Sequence, residues 1–223
     1  MNAWQITGFT VAAAALATLL MVPPGLLLAW LLSRGRFRGR ILLETLIALP
    51  LVMPPVATGL VLLMLLAPRG PIGGLLARAG IDVVFTWKAV VLAMTIMGLP
   101  LFVRTVSAGI DQVDRRYEAA AATLGAAPSR VFFTITLPLA LPAVLAGCVL
   151  GFARAIGEFG ATIMIAGSIP GATRTLAVAI YSFAETGKDR EAATLVAISA
   201  GIAFAALWLS NWMSSRARTA GTR

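Results

Sequence analysis

The chain has 223 residues, 59% of them hydrophobic and 12% charged, with a mean hydropathy of +0.91 and a formal net charge of +9. Soluble domains carry about 25% charged residues, so an ordinary soluble enzyme or binding domain is excluded and a membrane protein is expected. The chain has no His and a single Cys, Cys148. It therefore lacks the commonest general base, any intrachain disulfide and a Cys-based metal site; no metal ligands are assigned.

Five membrane spans are predicted, at 8–33, 44–66, 88–107, 140–165 and 192–213. Each is about as long as the ~20 residues that a bilayer core requires, or longer. The first is preceded by no basic residue, so no cleaved signal peptide is expected. Its first positive charges, Arg34, Arg36, Arg38 and Arg40, follow it. A second basic group (Arg104, Arg115, Arg116, Arg130) surrounds the polar stretch between the third and fourth spans, and Arg216, Arg218 and Arg223 close the chain. Lys and Arg concentrate in cytoplasmic loops. The N-terminus is thus expected outside and the C-terminal tail, 214–223, inside, with external segments at 67–87 and 166–191. Charges dispersed by loop in this way, rather than gathered on one face, suit a lipid-embedded protein and not a nucleic-acid partner. A sixth span through Thr175–Phe183 is rejected: nine residues are too few to cross, and the basic tail would lie outside.

Helix breakers crowd these spans. Pro23-Pro24-Gly25 is expected to interrupt the first span, and Gly98-Leu99-Pro100 the third. Pro50, Pro54 and Pro55 mark a functional kink in the second, and Pro142 lies near the start of the fourth. In lipid, freed backbone groups must be satisfied by protein or by cavity water, so such breaks suit helices that line a pathway. Thr58, Thr95 and Thr162 are the hydroxyl donors of these segments and the candidates for pathway lining. In the fourth span, Arg154 and Glu158 stand four residues apart; on a helix they would form an intramembrane ion pair that locks the bundle.

The stretch 118–138, EAAAATLGAAPSRVFFTITLP, is polar, Ala-rich and helix-prone. Ala has the highest intrinsic helix propensity, so residues 118–126 are expected to form a short helix. Gly125 would end that helix with a positive φ, Pro128 would start a second short helix, and Leu137-Pro138 would end the second before the next span. No Gly-x-x-x-x-Gly-Lys-Ser/Thr occurs, since Gly187-Lys188 continues with Asp189 and has Ser182 in place of the first Gly. The chain therefore has no phosphate-binding loop of its own.

This stretch resembles the coupling loop of type I ABC importer permeases. Their pattern is Glu-Ala-Ala, three residues, Gly, nine residues, Ile, one residue, Leu-Pro. From Gly125, nine residues lead to Ile135, then Thr136, then Leu137-Pro138. The two Ala fall on Ala120 and Ala121, whereas the acid, Glu118, stands one position early and Ala119 occupies its place. Gly157–Ile163 (GEFGATI), Ile169–Leu176 (IPGATRTL) and Leu49–Pro55 (LPLVMPP) are similar to the molybdate/sulfate/tungstate branch of that family.

The resemblance implies an all-α integral membrane fold, with a permease core of about 8–213 and a cytoplasmic coupling loop of 108–138. Glu118, Ala120, Ala121, Gly125, Ile135, Leu137 and Pro138 would couple it to an ATPase. It also implies a homodimer in the cell inner membrane, two separate ATPase subunits that bind ATP and Mg, and an external or periplasmic oxyanion-binding protein. The chain would be a transport subunit and not an enzyme, with molybdate the first candidate and sulfate or tungstate the alternatives. A secondary transporter or channel that needs no ATPase is the competing class; it would be expected to show inverted repeats and charged coupling-ion sites.

Overall fold

A computed structural model describes residues 2–35 and 37–220, with side chains described through Leu209. Arg36 and Arg223 lie outside the described residues. All described regular structure is helical. In chain order it comprises α1 (Ala3–Arg34), α2 (Arg40–Val52), α3 (Pro55–Leu66), α4 (Gly73–Arg78), α5 (Trp87–Asp111), α6 (Arg115–Thr123), α7 (Pro128–Val131), a π-helical turn (Phe132–Thr136), α8 (Leu137–Ile156), α9 (Gly160–Ala166), α10 (Leu176–Glu185) and α11 (Asp189–Ala220). Among the described residues, four helices are long and apolar enough to cross a membrane, and the bent pair α2–α3 makes up to five spans.

α5 is the centre of the bundle: 61% of its apolar window is buried, against 28% for α1 and 11% for α11. α1 and α8 pack along its two sides, α11 packs on α8, and α10 packs on α11. Small residues bring the central helices together. A Cβ on Gly109 would fall 2.1 Å from the Cβ of Ala143, and one on Gly151 would fall 2.8 Å from Met21 Sδ. Lipid tails are as apolar as the side chains, so close backbone packing of this kind takes the place of a hydrophobic driving force between membrane helices.

Gly25 shows what that packing requires. Its Cα faces the ring of Phe102, which is fully buried, and a Cβ there would sit 2.4 Å from Cδ1. Gly25→Ala is expected to destabilise the protein by about 1–3 kcal/mol through overpacking. Gly201→Ala, where a Cβ meets nothing within 4 Å, is expected to leave the melting temperature in detergent unchanged or slightly raised. Comparing the two melting temperatures checks both expectations.

Several helix ends differ from those expected. α1 runs unbroken through Pro23 and Pro24, and α5 runs unbroken through Pro100. The pyrrolidine rings remove two donors in α1 and one in α5, but both helices are clamped along their length by neighbours, which keeps the flanking turns helical. The second span is broken as expected: α2 and α3 meet at Met53-Pro54 with a bend of 110°. Leu137-Pro138 does not end a helix. The two residues open α8, into which α7 and the π-turn lead directly. Pro138 thus lies within a continuous helical run, directly after the π-turn, and withdraws one donor from its ladder. α8 stops at Ile156, and the rest of the fourth span resumes as the separate α9. Glu158 thus lies in a break, not on a continuous helix. The segment Thr175–Phe183 forms the cap, Thr175, and most of α10, which buries Leu176, Val178 and Ala179. Its N-terminus is pinned to α1, with the Leu176 amide donating to Thr10 Oγ1 at 2.9 Å.

Candidate functional site: the α6 turn and the paired helix breaks

Asp114 caps α6, its side chain accepting from the Arg116 amide at 2.9 Å. At the other end Gly125, at φ +82°, closes a Schellman turn. The Ala126 amide donates to the Ala121 carbonyl at 3.1 Å and the Gly125 amide to the Ala122 carbonyl at 3.0 Å, the paired bonds that satisfy a helix C-terminus. Pro128 then opens α7. Ala119, Ala120 and Ala122 are exposed, and Leu124 at the turn is 88% exposed. Ala120, Ala121, Ile135 and Pro138 come together from the two ends of the stretch. With Tyr117, Leu124, Thr134 and Leu139 they line an open apolar groove of about 640 Å³. Gly125 shapes the turn without lining the groove, and Leu137 faces the core cluster around Phe102.

Glu118 points the other way, into the transmembrane body. Its carboxylate accepts from Thr136 Oγ1 at 2.6 Å and from Arg34 Nε at 3.1 Å. The same guanidinium donates through Nη2 to the Ile110 and Val113 carbonyls, at 2.9 and 3.1 Å. Arg34, the last residue of α1, thus fastens three things at once: the end of α5, the first turns of α6, and, through Glu118, the π-turn before α8. The side chains of Arg34 and Glu118 are only 11% and 18% exposed. A planar guanidinium with donors on several edges is suited to such a junction, where an ammonium is not.

The second feature is where the two broken spans touch. A Cβ on Gly160 would fall 2.7 Å from Pro55 Cβ, and one on Gly59 would fall 2.7 Å from Ala161 Cα. α3 and α9 therefore start from adjoining breaks and run on side by side. Arg154 Nη1 and Glu158 Oε2 pair at 2.8 Å, and Glu158, 1% exposed, also accepts from the Ala161 amide at 2.8 Å. One carboxylate thus bridges α8 and α9. Of the three threonines, Thr95 donates to the Val91 carbonyl at 2.8 Å, whereas Thr58 and Thr162 are buried with no hydrogen-bond partner.

Residues 21–219 match the binding-protein-dependent transport system inner membrane component family. The chain belongs to that family. It is 45% identical over 217 residues to the molybdenum transport system permease protein ModB of Escherichia coli (strain K12), covering 96% of this chain and 95% of that protein. It is 42% identical over 157 residues to the sulfate transport system permease protein CysT of Salmonella typhimurium (strain LT2), covering 70% of this chain and 57% of that one. In fold it is similar to a bacterial ABC transporter involved in the import of the acidic polysaccharide alginate, with a TM-score of 0.71 at 19% identity, covering 95% of this chain and 78% of that one. As a family member the chain is an inner membrane transport component and not a catalyst.

Sequence reasoning about this family member missed Arg34, Asp114 and Thr136. Asp114 was visible as a capping residue ahead of a helix-prone run. Arg34 looked like one more loop cation, because its three acceptors lie 76 to 84 residues away in sequence. The early register of Glu118 has a physical counterpart. The side chain one position before the motif turns towards the membrane body, and the motif's own acidic position is left as an exposed methyl group, Ala119.

Proposed function

We propose that this chain is the membrane-spanning permease subunit of an ATP-driven importer of a tetrahedral oxyanion, molybdate first. It works as a homodimer with two cytoplasmic ATPase subunits that bind ATP and Mg, and takes its cargo from an external binding protein. The observation that carries this reading is the α6 turn: a short, capped, exposed helix held to the transmembrane body by Arg34 and Glu118. A chain with no phosphate-binding loop needs such a lever to receive work from a partner. The apolar groove at Ala120, Ala121, Ile135 and Pro138 gives the ATPase a surface without side-chain bulk. Identity to the E. coli molybdenum permease over nearly all of both chains supports molybdate. Sulfate is the second reading, supported by the more partial match to the Salmonella sulfate permease. Tungstate shares the charge and shape of molybdate and stays with it.

In mechanism, a displacement of α6 passes through Arg34 to the ends of α1 and α5, and through Thr136 to α8. Both routes lead to the adjoining breaks at Pro54-Pro55 and Gly157–Phe159. Changes in the angle between α3 and α9 there open the path to one side or the other, the usual form of hinge motion.

The complex of permease, ATPase and binding protein in liposomes should accumulate molybdate when ATP is present, and far less sulfate. Accumulation by the permease alone, without ATPase, would instead establish the secondary-transporter class. Orientation is checked separately. With Cys148 replaced by Ser, a Cys at Ala126 should be labelled by impermeant maleimide only from the cytoplasmic side. Labelling from outside would overturn the placement of the 108–138 loop and with it the ATPase docking.

A further inference from the structure

We infer that Arg174, with Ser168 and Ser182, forms an entry subsite for the oxyanion beyond the end of α9, where the cargo is received as it leaves the binding protein. This inference rests on the reading of the chain as an oxyanion permease whose 166–191 segment lies outside, and adds to it the groups that first touch the cargo.

The sequence Ile169–Leu176, IPGATRTL, takes no part in the α6 turn or in the paired breaks. It follows closely on α9 and folds into a tight turn around Thr173, which is fully buried. Thr173 Oγ1 accepts from the Ile169 amide at 3.0 Å, and the Thr173 and Arg174 amides donate to the Ile169 carbonyl at 3.0 and 3.2 Å. The turn brings Arg174 back onto Ser168. Arg174 Nε donates to Ser168 Oγ at 3.0 Å, and Nη2 donates to the Ser168 carbonyl at 3.4 Å. Ser182 Oγ, on α10, stands 3.4 Å from Ser168 Oγ. One guanidinium and two hydroxyls from separate stretches of chain therefore converge.

The guanidinium is fixed along one edge, and its Nη1 has no partner among the described residues. Arg34 and Arg154, held likewise, each face a carboxylate. Arg174 is half-buried, yet no carboxylate among the described residues lies within 4.0 Å of it, and its partners are neutral. The charge is held in place without being neutralised, which suits an anion that comes and goes. A planar guanidinium offers a tetrahedral oxyanion a fork of donors, and the serine hydroxyls add a donor beside it. A single charge at partial exposure keeps the hold weak, and a pathway must release what it admits. Position supports the role. The segments 67–87 and 166–191 meet here: the Phe85 amide donates to the Ile165 carbonyl at 3.0 Å, and a Cβ on Gly167 would fall 3.5 Å from the Phe85 ring. Arg174 thus stands at one end of the helix whose other end adjoins Pro55.

The test uses the assembled complex with binding protein and ATPase, carrying Arg174→Gln, Arg174→Lys or Ser182→Ala. With loaded binding protein at saturation, Gln should lower the maximal rate of molybdate uptake about tenfold, the effect of one lost hydrogen bond to a charged ligand. Lys keeps the charge and should recover part of the rate. Ser182→Ala leaves both bonds from Arg174 to Ser168 in place and should lower the rate less than Gln does. Contact with the anion is read separately. In a Cys148→Ser, Ser182→Cys complex, impermeant maleimide added outside should react more slowly in molybdate than in chloride of equal ionic strength. Adding Arg174→Gln should abolish that protection. No reaction from outside, or equal rates in the two salts, would overturn the inference. So would wild-type uptake in either the Gln or the Ala variant, or a Gln defect that Lys does not relieve. A Gln defect cured by more binding protein would make Arg174 a docking contact and would overturn it too. Each of these outcomes leaves the permease reading intact. A wild-type complex that moves neither molybdate nor sulfate would overturn the substrate reading and this subsite together.

Discussion

Val in place of Gly125 is expected to abolish ATP-driven uptake and to weaken ATPase association, with the protein still inserted in the membrane. Gly125 holds φ +82°, and a Cβ there would meet nothing within 4 Å. The substitution thus has no steric neighbour to disturb, and its whole effect is on the backbone. An L-residue in the left-handed region costs roughly 1–2 kcal/mol, and a β-branched one more. α6 has nine residues, largely exposed. Helices shorter than ~12–15 residues are marginal in water even with good sequences, so that cost is comparable to all the local stability the turn has. Asn tolerates the left-handed region, and Gly125→Asn should keep most of the uptake. Co-purification with the ATPase and ATP hydrolysis stimulated by loaded binding protein read the outcome. Normal values for the Val variant would mean that α6 is not the docking element.

Arg34→Ala should have a comparable effect by a different route. It leaves Glu118 as a carboxylate with 18% exposure and a single remaining partner, Thr136, and it strips a donor from the Ile110 and Val113 carbonyls. Removing one member of a buried ion pair costs about 3–5 kcal/mol; some exposure at both side chains puts this one at the lower end, about 3 kcal/mol. The penalty falls on the junction between α6 and the bundle, not on the core around Phe102. The ATPase should therefore still bind and hydrolyse ATP while uptake falls at least tenfold: hydrolysis uncoupled from transport. Arg34→Lys keeps the charge but cannot reach Glu118 and two carbonyls together, so it should lie between. Tight coupling in the Ala variant would remove Arg34 from the transmission path.

Much of this was legible in the chain. Spans appear as apolar runs because every membrane helix must satisfy its own backbone and present apolar side chains to lipid. The turn at Gly125 was legible because Gly and Pro act locally, through φ alone. Proline inside a span was less so, and the two Pro-Pro pairs show why. Pro54-Pro55 bends the second span by 110°, while Pro23-Pro24 leaves α1 whole. The dipeptide is the same, and the difference lies in what stands opposite. α1 is held along α5 and α8, with Gly25 against the Phe102 ring. At Pro55 the neighbour is Gly160, itself at a break, and nothing there holds the chain to a helical path. Arg34 and Thr136 were illegible for a related reason. Their importance comes from acceptors brought close only by the fold, and no local spacing announces it.

Glu158 sets the kind of motion available to the second part of the fourth span, α9. Its carboxylate grips Arg154 on one side of the gap and the Ala161 amide on the other. Pivoting about this residue preserves both grips, whereas axial slippage by a single register would tear one of them loose. A displacement of α9 that keeps both bonds is accordingly angular. Seven residues of helix span roughly 10 Å at 1.5 Å per residue, so a swing of about 30° carries the far tip about 5 Å. That is on the scale of one small side chain.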